Sequence, residues 1–180
     1  VFLGKLDFAS CSQVDMVRKT ASLFPHGDVN GKTLGVAMED ELSGNLTLSF
    51  NMLSVDAASM DGEFDGRIPV CGNDENVLEV VRARMAEQGL TLLNKALIPP
   101  HHVSADSYFV KTLLAAFELY TGRKGECQAL GGGTYVHHLE NGVAFGAAMP
   151  ETDNKMHGPD EFAVVDELLV SAKIFAQAIV

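Results

Sequence analysis

The chain has no tryptophan, and its 180 residues hold only ten phenylalanines and three tyrosines. Any core must be built mainly from aliphatic side chains. Cysteine is scarce as well. Cys11, Cys71 and Cys127 are scattered, odd in number and form no CxxC pair. A disulfide framework is therefore not expected, and free thiols in a cytoplasmic protein are the simplest reading. Positive charge is short: 13 Lys and Arg stand against 24 Asp and Glu, for a formal net charge of −11. A surface of that sign repels a phosphate backbone, so nucleic acid is not an expected partner. No apolar run approaches the roughly 20 residues that cross a bilayer, so a membrane is not expected either. The N-terminus lacks the positive start and long apolar core of a secretory leader. It also lacks a methionine, and a chain opening at Val1 reads as an excised or truncated piece.

What remains is an ordinary globular composition, 47% hydrophobic and 21% charged, long enough for one domain or two small ones. Ser12-Gln13-Val14-Asp15 has the form of a helix-opening capping box, with Val14, Val17, Ala21 and Phe24 at helical spacing before Pro25-His26-Gly27. Leu34 to Met38 reads as a strand broken by the charges of Glu39-Asp40-Glu41. Leu46, Leu48, Phe50 and Met52 alternate with Thr47, Ser49 and Asn51, which predicts a strand with one apolar face. Phe64, Gly66, Ile68 and Val70 alternate with Glu63, Asp65 and Arg67 in its antiparallel partner. Asn73 or Asp74 then caps a helix with the stripe Val77, Leu78, Val81 and Met85, ended by Gly89. Leu90 to Leu97 returns as a strand. Helix, strand, strand, helix, strand is most of a split βαβ sandwich of ferredoxin-like type.

Pro99-Pro100 marks the expected domain boundary, between 1–98 and 99–180. Beyond it, Ser104 or Asp106 caps a helix carrying Val110, Leu113, Leu114, Phe117 and Tyr120, with Gly122 after it. Cys127 to Leu130 and Val143 to Ala147 read as short strands. Phe162 to Val180 reads as a helix with Val164, Leu168, Ala172, Phe175 and Ile179 on one face. That order suits an α/β layer structure.

Two loops in this last part carry chemistry. Gly131-Gly132-Gly133-Thr134 lets backbone N–H groups approach a ligand without Cβ atoms in the way, though glycine triplets also serve as plain tight turns. His157-Gly158-Pro159-Asp160-Glu161 puts an imidazole on a rigid turn, with the two carboxylates expected in the first turn of the helix behind it. A neutral imidazole so held, with a carboxylate near, suits a metal, although a lone histidine there also suits a plain surface.

Taken in order, Gly-Gly-Gly-Thr-Tyr135, Asn141-Gly142-Val143-Ala144-Phe145-Gly146, His157-x-x-x-Glu161-Phe162 and the closing helix resemble one family. It is the zinc-dependent metallopeptidases that include carnosinases, aminoacylases and carboxypeptidase G, nearest to the Xaa-His dipeptidases of PepV type. Pro99-Pro100-His101-His102-Val103 fits that branch too. The resemblance implies a partial lid domain in residues 1–98, followed by the C-terminal segment of a catalytic domain that binds two zinc ions. It implies that His157 is a zinc ligand with Glu161 supporting it. It further implies that Arg67 contacts the carboxylate of a short peptide substrate, and that Gly132, Gly133 and Thr134 close around it. Asp160 stands where the family pattern has Asn. The family's remaining ligands and general-base glutamate are expected upstream, yet no His-x-Asp precedes the sandwich and no Glu-Glu pair occurs. A catalytic zinc needs about three protein ligands. The expectation is therefore a fragment with no catalytic residue of its own, binding no zinc alone, whose partner is the missing N-terminal part of the same polypeptide. The alternative is a stand-alone α/β sandwich module that binds ligands or assembles through its sheet edge, without catalysis. The adjacent pairs His101-His102 and His137-His138 read as loop residues.

Overall fold

A computed structural model describes residues 6–130, 134–146, 149 and 151–180. They form a mixed α+β protein of helices and two small antiparallel sheets. The chain divides into two compact units. One runs to His101 and takes in Ala129 and Leu130; the other holds His102–Gln128 and the described residues from Thr134 on.

In the first unit, α1 spans Ser12–Leu23. Its N-cap is Cys11, with no side-chain cap, so the expected capping box does not form. Ser12 instead bonds its neighbour Gln13. The helix ends on Phe24, whose ring packs between Phe50 and Phe64 at centroid distances of 4.9 and 5.0 Å. These two face each other across the long hairpin of β3 (Thr47–Val55) and β4 (Met60–Arg67). The pairing is antiparallel, as the alternation predicts, but it slips between Phe50 and Met52. The extra residue sets Met52 opposite Glu63 and leaves it 62% exposed, so Met52 departs from the expected apolar face.

Two other strand expectations fail. Leu34–Met38 is a turn and an irregular run, although Leu34 and Val36 are buried in the core. Asp28 holds the turn by accepting from the Lys32 and Thr33 N–H groups at 2.9 and 2.7 Å. The charged residues expected to break a strand make one instead: β1 (Glu39–Asp40) pairs with β2 (Gly44–Asn45). Asp40 is the reason, since its carboxylate accepts from Leu42 and Ser43 within the turn. Leu90–Leu97 is likewise not a strand. Its backbone is held by side chains: Arg82 donates to the carbonyls of Leu92 and Asn94, and Leu97 N–H donates to Asp74. With those groups satisfied, no neighbouring strand is needed to keep Leu92 buried.

Asn73 caps the next helix as expected. It accepts from Glu75 and Asn76, and Asn76 Oδ1 accepts from Asn73 N–H. The first turn, Asp74–Leu78, is π-helical and leads into α2, Glu79–Glu87. Val77, Leu78, Val81 and Met85 are all buried, against Leu23, Leu34, Val36 and Leu46.

In the second unit, α3 (Tyr108–Thr121) is capped by Ser107, one residue past the expected Asp106, and stops at a left-handed Gly122. It packs against α4, Val165–Ile179. Among the described residues, Cys127–Leu130 and Val143–Gly146 pair with no strand; Ala147 lies outside the described residues. The stripe expected to face the core on α4 is largely exposed at Leu168 and Ile179, and Ile174, on another face, is fully buried. Phe175 makes an edge-on contact with Phe145 at 5.4 Å. Among the described residues no helix is long and apolar enough to cross a membrane.

Candidate functional site

His157 lies on a loop between the buried Met149 and α4. The imidazole is exposed. Its backbone is left-handed, with φ of 62°, and so are Lys155 at 56° and Asp160 at 59°. Non-glycine residues seldom take that conformation. The loop is closed at its neck by Phe162 N–H donating to the Asn154 carbonyl at 3.2 Å, and inside it Gly158 N–H donates to Lys155 at 2.7 Å. These bonds turn the chain back before the helix can begin. Asp160 and Glu161 therefore precede α4 and do not occupy its first turn, which holds Asp166 and Glu167. Both predicted carboxylates are exposed.

The loop 151–162 is tied at α4 and just past the end of α3. The Thr152 hydroxyl donates to Glu167 in the first turn of α4. Arg123, just past the end of α3, pairs with Glu151. That guanidinium bond holds the Glu151 carboxyl below its usual range. Sequence reading missed all four residues, because their pairing joins positions far apart in the chain.

Thr134 stands at the start of a 3₁₀ turn, Tyr135–His138. Its N–H donates to His137 Nδ1 at 3.2 Å, so His137 belongs to a helical turn and not to a plain loop. Gly132 and Gly133 lie outside the described residues. In the first unit, Arg67 ends β4 opposite Thr47. Its side chain is 51% exposed, and its Nε sits 3.8 Å from Asp65. A pair at that distance and exposure is weak and leaves the fork open to an incoming carboxylate.

Among the described residues, no group of three or more His, Cys, Asp or Glu side chains converges where a metal could bind. His157 is one candidate ligand, and a catalytic zinc takes about three from the protein. One His-x-Asp sequence does occur within the first unit, at His26-Gly27-Asp28. Its aspartate spends its oxygens on the Lys32 and Thr33 N–H groups. Burial pushes the Asp28 carboxyl up, but the bonds from Thr33, Lys32 and Asn30 outweigh it and leave it below its usual value. It is a turn staple.

No family model matches the chain. Its curated relatives carry the names of dipeptidases, which supports peptide hydrolysis as their common class. The chain is 38% identical over 156 residues to "Putative dipeptidase YtjP" of Bacillus subtilis (strain 168), a match that covers 85% of the chain. It is 33% identical over 155 residues, 86% of its length, to the Beta-Ala-Xaa dipeptidase of Lactobacillus delbrueckii subsp. lactis. A dipeptidase-named protein of Staphylococcus haemolyticus (strain JCSC1435) matches 97% of the chain at 26% identity. The chain spans about a third of the length of these first two relatives, 33% of each.

Proposed function

We propose that this chain is the C-terminal part of a zinc-dependent dipeptidase acting on Xaa-His or similar dipeptides, and that it is inactive alone. The observation that carries the proposal is the match to dipeptidases over 85% of the chain, which accounts for only 33% of the relative. Residues 1–98 would then be the rear part of a ferredoxin-like lid, and 99–180 the end of the catalytic α/β domain. His157 would give one ligand to one of two zinc ions, with Glu161 supporting it. The other ligands and the general base would come from the preceding part of the same polypeptide. When bound, zinc supplies a water acidic enough to attack a peptide carbonyl at neutral pH. This chain's own contribution is binding and orientation. Arg67 would take the substrate carboxylate in its two-pronged fork, and Gly132, Gly133 and Thr134 would close over it. The three exposed, unpaired cysteines suit a cytoplasmic setting.

The test is a chimera in which this chain replaces the matching third of the Lactobacillus Beta-Ala-Xaa dipeptidase. The folded chimera should hydrolyse dipeptides in a zinc-dependent manner and lose that activity on His157→Ala. The purified 180-residue chain should turn over nothing with zinc or manganese. A folded chimera inactive with every metal tried, or turnover by the chain alone, would sink the proposal.

A further inference from the structure

We propose that Thr152 and Glu167 act as a positioning pair, a latch that holds the His157 loop in the conformation presenting the imidazole. The inference rests on His157 being functional, as argued above. Its observation is a conflict inside the loop. Lys155, His157 and Asp160 are left-handed within six residues, while the loop's glycine, Gly158, is not among the left-handed glycines. The residue best suited to that backbone is not the one that adopts it. Left to its own preferences, such a loop relaxes. Something outside it must hold it.

Three restraints reach the loop's neck. Arg123 and Glu151 pair at the surface, with side chains 42% and 70% exposed, where solvent screens them. Thr152 N–H donates to the carbonyl of the buried Met149 at 3.0 Å, a local bond three residues apart. The Thr152 hydroxyl donates to Glu167, a half-buried contact between residues 15 apart. Among the described residues this last bond reaches into a helix, the first turn of α4, whereas Arg123 lies just past the end of α3. Glu167 is well placed there without Thr152, because a carboxylate suits a helix N-terminus. The helix thus fixes the acceptor and the loop brings the donor. Asn154, two residues on, receives the closing bond from Phe162. A shift of Thr152 therefore moves the neck itself.

The experiment uses the full 180-residue chain, free of metal. Thr152→Val keeps the side chain's shape and removes its hydroxyl. Amide hydrogen exchange should quicken about tenfold at Gly158 and Phe162, the scale of one bond to a charged acceptor. The His157 ring signals should move toward those of an unstructured histidine. Exchange within α3, at Leu113 and Ala116, should stay within about twofold of the parent. Thr152→Ser, which restores the hydroxyl, should restore both signatures. Unchanged exchange at Gly158 and Phe162 would overturn the latch. So would equal acceleration throughout α3 and α4, which means general loosening, or failure of Thr152→Ser to rescue. No substrate or metal enters this measurement, so its failure leaves the dipeptidase proposal standing. An inactive chimera with a normal exchange pattern would remove the dipeptidase proposal and leave the latch intact.

Discussion

Adding one methyl group at Gly31 should be among the more damaging small changes in the first unit. Gly31 has φ of 69°, a left-handed backbone that a side chain makes costly. A Cβ there would also lie 2.7 Å from Val36 Cγ2, with Leu46 and Leu48 methyls at 3.6 and 3.7 Å. Val36 and Leu46 are each 1% exposed, and the Val36 N–H is bonded to the Gly31 carbonyl at 3.1 Å. Val36 has nowhere to retreat. The backbone term is about 1–2 kcal/mol, and forcing a methyl into a filled core costs about 1–3 kcal/mol. Gly31→Ala should therefore destabilise by about 2–5 kcal/mol, a large share of the ~5–15 kcal/mol that holds a domain together. Gly27 is the control. Its φ is 87°, yet nothing lies within 4 Å of its Cβ position, so Gly27→Ala should show the backbone term alone. Urea denaturation followed at the amides of β3 and β4 measures both. Leu48 lies beside Thr47, the residue paired with Arg67, so the same amides report on the strand end that carries the guanidinium. Equal losses for Gly31→Ala and Gly27→Ala would refute the packing argument.

Other outcomes follow from single contacts. Arg67→Ala in the chimera should lower kcat/KM by about tenfold or more, with little change in Tm because its pair with Asp65 is exposed; unchanged kinetics would return Arg67 to the solvated surface. The N–H and hydroxyl bonds of Ser43, then the backbone N–H bonds of Cys71 and Leu42, hold the Asp40 carboxyl down at about 2 from an ordinary 3.8. A folded pKa below the unfolded one means stability that is present above 3.8 and lost as pH falls toward 2. Asp40→Asn should lower Tm near neutral pH and flatten its fall across that acid window, and an unaltered slope would show that Asp40 is not its source. Ile174→Ala should destabilise the α3–α4 pair by about 2–5 kcal/mol, since Ile174 is fully buried; a loss below about 1 kcal/mol in thermal melting would mean that the site collapses around the gap.

The helix stripe of Val77, Leu78, Val81 and Met85, the cap at Asn73, the end at Gly122 and the alternating hairpin were all legible in the chain, because each depends on neighbours a few residues away. Arg67, Thr134 and His157 stood out as candidates through the family resemblance, which such local rules do not supply. Nor did those rules reveal which apolar runs would be strands. Leu34–Met38 buries Leu34 and Val36, and Leu90–Leu97 buries Leu92, without a ladder: the Val36 N–H bonds the Gly31 carbonyl, and Asp74 and Arg82 satisfy the second run from a distance. The Phe50–Met52 slip, which moves Met52 to the wet side, depends on a partner strand. The stripe on α4 was visible as a stripe, but packing left Leu168 and Ile179 exposed and buried Ile174 on another face. The left-handed turn at His157, and the reach of Thr152 to Glu167 beside it, were set by the closing of a loop onto a helix. Sequence determines what a residue can do within one turn of the chain. Which distant group satisfies a buried polar atom is decided only when the chain has folded, because a hydrogen bond depends on distance in space and not on distance in sequence.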